Sequence, residues 1–79
     1  MYHRAYVTVS AIFDPQGKIL PTSLMLRGEE YIIDRVLDIR RAAALKAGGQ
    51  GTRYTIRIGS HETFLFQDEE NRWFVEEKE

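Results

Sequence analysis

Two histidines, a Ser-His-Glu triplet and one glycine-rich turn flanked by basic residues are the places where this sequence could do chemistry. Ser60-His61-Glu62 holds the residue types of a nucleophilic triad, in which a base takes the hydroxyl proton and a carboxylate orients the base. Neighbours in an extended chain point to opposite faces, so these three do not converge, and the triplet reads as a turn. His3 and His61 are far apart, with no cysteine partners and no His-x-x-x-His spacing, so no metal ligand set is expected. Glu29-Glu30 and Asp68-Glu69-Glu70 read as solvated turn charges, with no reason for a pKa in a catalytic range. These residues name no reaction, and the expectation is a non-catalytic protein without a cofactor.

The segment Lys46-Ala47-Gly48-Gly49-Gln50-Gly51-Thr52-Arg53-Tyr54 admits more than one reading. Gly48-Gly49-Gln50 matches the tripeptide that release factors use in peptidyl-tRNA hydrolysis. A compact 79-residue body has a radius of gyration of only about 12 Å, too small to bridge distant ribosomal centres. The lysine precedes the glycines, so this is not a Walker A loop. Successive backbone N–H groups in such a turn can form an anion nest, with Lys46 and Arg53 beside it. The ordinary reading, a mobile loop between two strands whose glycines take φ values other residues avoid, stands ahead of these.

Beyond the glycines, Arg53, Thr55 and Arg57 share one face of an extended segment, roughly 6 to 7 Å apart per step, close to successive phosphates of a single strand. Small β-barrels bind single-stranded nucleic acid with such a face, stacking bases on aromatic rings; Tyr2, Tyr6, Tyr31, Trp73 or Phe74 are the available rings. The candidate ligand or nucleic-acid surface is therefore Lys46, Gly48, Gly49, Gln50, Gly51, Arg53 and Arg57, with Arg40, and Arg41 beside it. Against it stands the ordinary reading, in which aromatics form the core and outward arginines are solvated.

Charge is distributed in blocks. From Arg35 to Arg57 six basic residues face one acid, and from Gly59 to Glu79 seven acids face two basic residues, so a net charge of −1 conceals two poles. Such poles invite self-association, while the acidic block argues against a uniformly basic footprint. With 43% hydrophobic and 29% charged residues the composition is that of a globular domain, and 79 residues allow a single one, residues 1–79. There is no cysteine, so packing and hydrogen bonds must carry the stability. No apolar run reaches the roughly 18 residues of a membrane span, and Met1-Tyr2-His3-Arg4 leads straight into alternating sequence rather than a signal peptide; a cytoplasmic protein is expected.

The elements that must position these residues read as strands. Val7, Val9, Ala11 and Phe13 alternate with Tyr6, Thr8 and Ser10, which predicts a strand with the first four buried. Asp14-Pro15-Gln16-Gly17 supplies a turn. Leu24 and Leu26 share a face in a short second strand. Tyr31 and Ile33 begin a third, whose phase slips at Asp34-Arg35; a β-bulge explains the slip, and so does a helix between Asp34 and Ala47 capped by Asp34. Tyr54, Ile56 and Ile58 alternate cleanly with Arg53, Thr55 and Arg57. A Phe-rich strand from Glu62 to Gln67 and a last one from Arg72 to Glu76 complete five or six strands, the pattern of a small barrel or two packed sheets.

On Phe13-Asp14-Pro15-Gln16-Gly17-Lys18 with Pro21, Val36-Leu37-Asp38, Gly48 to Tyr54 and Arg72-Trp73-Phe74-Val75-Glu76, the chain resembles an uncharacterised family of small bacterial proteins, met mainly in Firmicutes. The resemblance implies an SH3-like barrel and hands over no activity. The reading is thus all-β, a five- or six-stranded SH3-like barrel, with one short helix between Asp34 and Ala47 as the variant. Its expected function is a non-catalytic interaction module that binds a protein segment or itself through a groove or sheet edge; the alternative is a small nucleic-acid-binding barrel.

Overall fold

The computed structural model describes residues 1–43 and 50–78, and those residues form eight strands and no helix. They are β1 (Tyr2–Tyr6), β2 (Thr8–Phe13), β3 (Ile19–Leu26), β4 (Glu29–Ile32), β5 (Arg35–Ala43), β6 (Gln50–Ile58), β7 (His61–Asp68) and β8 (Trp73–Lys78). An antiparallel sheet of five runs in the order β1-β8-β7-β6-β5, and a second of three runs β2-β3-β4. Strands exceed the expected five or six because two long ones are bent. At Val7 the chain donates its N–H to the Trp73 carbonyl (3.0 Å), and from Thr8 onward it pairs with β3 instead. At the other corner Ile33 N–H bonds the Thr22 carbonyl (3.0 Å) while Asp34 N–H bonds the Arg57 carbonyl (2.8 Å). The covalent chain, rather than a continuous ladder, joins the two sheets, so the all-β fold is barrel-like without a closed sheet.

The core sits between the sheets. Leu24, Ile33, Tyr54, Ile56 and Leu65 are buried there, with Val7, Val9, Leu26, Tyr31, Val36, Ile39, Ile58, Trp73 and Val75 packed around them. Tyr54, Ile56 and Ile58 face inward as their alternation predicts. Burial of the Tyr54 ring also pushes its hydroxyl above the usual phenol range. Arg27, in the β3–β4 turn, donates both guanidinium N–H groups to the Glu77 carboxylate on β8, clamping the small sheet to the large one. Those hydrogen bonds hold the Glu77 carboxyl below the usual range.

Two expectations are corrected. The variant with a helix from Asp34 fails, because Arg35 to Ala43 is strand paired with β6; the phase slip is a bulge, with the register shifting between Val36 and Asp38. Asp34 caps no helix; its carboxylate accepts the Gly59 N–H (2.7 Å), tying the β4–β5 corner to the β6–β7 turn. The rest of that expected helix, Ala44 to Ala47, lies outside the described residues. Ala11 and Phe13 are exposed rather than buried with Val7 and Val9, Phe13 to 75%. Ile12, on the opposite face, is exposed as well (55%), so neither face of this end of β2 is packed among the described residues. The register shift beside Ser10 and Ala11 passes over Thr22 of β3 and leaves the alternation of β2 itself intact.

The β2–β3 and β7–β8 turns share one hydrogen-bond pattern. Asp14 Oδ1 accepts the N–H groups of Gln16 (2.9 Å) and Lys18 (2.8 Å), its carbonyl accepts Gly17 N–H (2.9 Å), and its own N–H donates to Lys18 O (2.9 Å). Asp68 repeats each contact with Glu70, Arg72, Asn71 and Arg72 in turn, at 2.9, 2.9, 3.0 and 2.9 Å. Gly17 (φ +83°) and Asn71 (φ +64°) hold the left-handed position, the one that favours these two residue types. Asp-x-x-Gly/Asn-Lys/Arg, occurring twice, is the sequence signal of this turn.

Candidate interaction surface

In an antiparallel sheet residues directly opposite share a face, so the register assembles the outer surface of the five-stranded sheet. Arg35, Arg57 and Glu62 form one row; Asp38, Thr55 and Phe64 the next; Arg40, Arg53, Phe66, Phe74 and Tyr6 a third. The sequence-predicted Arg40, Arg53 and Arg57 therefore do share one face. Lys46, Gly48 and Gly49, and with them the nest and the release-factor tripeptide, lie outside the described residues. Gln50 opens β6 opposite Ala43. Gly51 is buried in β6, where a Cβ would be driven into the Gln67 carbonyl oxygen of β7. That close approach of backbones gives Gly51 a structural reason to be glycine.

What the sequence reading missed is that this outer face carries a small core of its own. Phe66 (3% exposed) and Phe74 (1%) stack with ring centroids 5.2 Å apart and planes at 12°. Tyr6 meets Phe74 edge-on at 5.8 Å, and Phe64 meets Phe66 at 6.3 Å. Arginines cover the rings: Arg4 lies 4.6 Å over Phe74, Arg53 4.6 Å over Phe64, and Arg72 4.9 Å over Tyr6. Such contacts contribute about 0.5–1 kcal/mol each at exposed sites. Of the rings proposed for base stacking, Phe74 is thus sealed, Trp73 packs on Tyr54 at the inner face (5.1 Å), and Tyr31 lies against the core. Trp73-Phe74 is apolar at both positions because both faces of β8 are covered, a signal readable in the sequence.

The two charge poles are not separate patches. Arg57 pairs with Glu62 across β6 and β7 (3.7 Å), Arg41 reaches Glu69 (3.4 Å), and Arg40 bonds Asp38 (2.6 Å). At the β7–β8 turn Asp68 accepts Arg72 Nε (3.1 Å), with Arg4 3.9 Å away. Backbone N–H groups, that of Arg72 foremost, hold the Asp68 carboxyl below the usual range, and the bond from Arg40 does the same for Asp38. A polar, open depression of about 410 Å³ adjoins Arg4, Asp68, Glu69 and Glu70. His3 sits beside Glu77 (3.5 Å), and His61 is exposed at the start of β7.

A different surface opens along β5. Among the described residues β5 is hydrogen-bonded to β6 alone, so one side of a nine-residue strand has no ladder partner. A groove of about 370 Å³ runs on that side, lined by Leu20, Val36, Leu37 and Ile39 with Asp38, and by Asp14 and Lys18 of the β2–β3 turn. Leu37, the bulged residue, is 38% exposed. Set beside known proteins, the chain matches no family model, no curated protein and no solved structure. Among the described residues no helix is long and apolar enough to cross a membrane.

Proposed function

We propose that this chain is a non-catalytic interaction module, an SH3-like barrel in type, that takes an extended protein segment as an added strand along β5. The observation that carries the reading is the open side of β5 beside a groove floored by Leu20, Val36 and Ile39. Unpaired main-chain N–H and C=O groups supply affinity to an added strand, and pockets for alternate side chains supply selectivity. The acids held by arginines or backbone N–H groups, Asp38, Asp68 and Glu77, stay ionised at neutral pH, unlike a general acid tuned to it. The nucleic-acid alternative draws less support, since Arg40 and Arg57 are paired with acids and Arg53 is laid on Phe64.

The test is selection from a random peptide library, followed by backbone amide NMR of the complex. Strand addition predicts new amide protection at positions along β5. Peptides that map to the outer arginine face, or a library that gives no binder, would overturn the reading. Oligonucleotide binding that weakens linearly with log salt would establish the alternative instead.

A further inference from the structure

The charges along β5 suit one particular strand. Asp38 and Arg40 flank Ile39 symmetrically, Asp38 half-buried and Arg40 exposed, both on the outer face of the sheet. In an antiparallel pairing of two identical strands, a two-fold axis passes through one register position and exchanges the residues on either side of it. Centring on Asp38, Arg40 or Arg41 opposes like charges. Centring on Leu37 places the bulge on the axis. Centring on Ile39 opposes Asp38 of each copy to Arg40 of the other, twice.

Resting on the strand-addition reading above, we infer that the segment which fills the β5 groove is β5 of a second copy of this chain, antiparallel and centred on Ile39. The Asp38–Arg40 bond within one chain becomes half of a four-charge square of alternating sign at the join. On the inner side, Ile39 of the second copy lies over the floor formed by Leu20, Val36 and Ile39. Edge strands that resist pairing carry charges of one sign; here the signs alternate about the axis, and a second copy is attracted rather than repelled. The product is a symmetric dimer with one ten-stranded sheet. Its ladder is short, because the bulge at Leu37 ends the regular stretch, so the association is weak and exchanging.

Sedimentation velocity from about 10 μM to about 1 mM, a range spanning weak association, tests this. The parent chain is expected to show a concentration-dependent dimer. Asp38→Arg and Arg40→Asp should each weaken it by about tenfold or more, since each sets two like-charged pairs opposite one another. An equimolar mixture of the two variants should restore it, because the introduced arginine of one then meets the introduced aspartate of the other, and the native Asp38 and Arg40 that remain meet each other. Thermal melts establish that each variant folds; if a reversal does not, the milder Asp38→Asn and Arg40→Gln should each weaken the dimer. A parent that stays monomeric throughout, variants that dimerise unchanged, or a mixture that fails to recover would each overturn the inference. The strand-addition reading is judged apart from it: a monomeric parent whose β5 amides are protected by library peptides keeps that reading and loses only the second copy.

Discussion

The two faces of the five-stranded sheet are both covered, but by different means. The inner face buries Tyr54, Ile56 and Leu65, with Trp73 half-buried against them, under a second sheet. Among the described residues the outer face has no second sheet; Phe66 and Phe74 are sealed by flanking rings and by the guanidinium groups of Arg4, Arg53 and Arg72. A domain of this size cannot supply apolar side chains for both layers, and long arginine side chains cover aromatic surface while leaving their charge near water. Arginine on an outward strand face therefore serves here as a roof before it serves as a partner's contact.

Replacing Phe74 by Ala gives the sharpest break of this comparison. If the outer cluster is a true core, the cost in chemical denaturation should be about 3–5 kcal/mol, matching or exceeding the roughly 2–5 kcal/mol expected for Leu65→Ala on the inner face. A loss under about 1 kcal/mol would make the outer face ordinary surface. Gly51→Ala should cost about 1–3 kcal/mol, because the added carbon meets the Gln67 backbone and not a side chain that can move aside.

Asp68→Asn should lower the melting temperature at neutral pH. Its native carboxyl pKa is depressed, so the stability it contributes is present above the unfolded value and is lost as pH falls through the native one. Melting curves of parent and variant should hence converge below about pH 4, the ordinary Asp range. Curves that stay parallel through that range would remove Asp68 from the acid-sensitive part of the fold. The smallest effect separates the arginines of the outer face. Arg53→Ala should cost about 0.5–1 kcal/mol, little changed by salt, through lost contact with Phe64, whereas Arg57→Ala should cost under about 0.5 kcal/mol and vanish in high salt. Salt titration of the two melting temperatures checks the order.

Much of the fold was legible residue by residue. The alternation of Tyr54, Ile56 and Ile58 with Arg53, Thr55 and Arg57 named the inner face of β6 correctly, and the slip near Asp34-Arg35 marked a real bulge close by. Phe13 reads as inward because β2 alternates without interruption, but Ile12 and Phe13 are both exposed: neither face of this end of β2 is packed among the described residues, which alternation within one strand cannot show. Of the candidate surface, the sequence grouped Arg40, Arg53 and Arg57 on one face. Asp38, two residues from Arg40 on the same strand, was within reach of local alternation, but Phe64 for Arg53 and Glu62 for Arg57 follow from a strand register set by the whole sheet. Nor could the sequence show that β5 pairs on one side only among the described residues.

Side-chain alternation is a property of one strand, so the all-β class, the inward residues of β6 and the two Asp-led turns follow from the sequence by itself. Whether an outward residue is solvated, roofed or paired depends on which strands become neighbours and in what register, and contacts remote along the chain decide that. Folding laid the basic strand β6 beside the acidic strand β7, so two poles of sequence became a set of paired charges. It also left β5, among the described residues, with a neighbour on one side only, which no local pattern encodes.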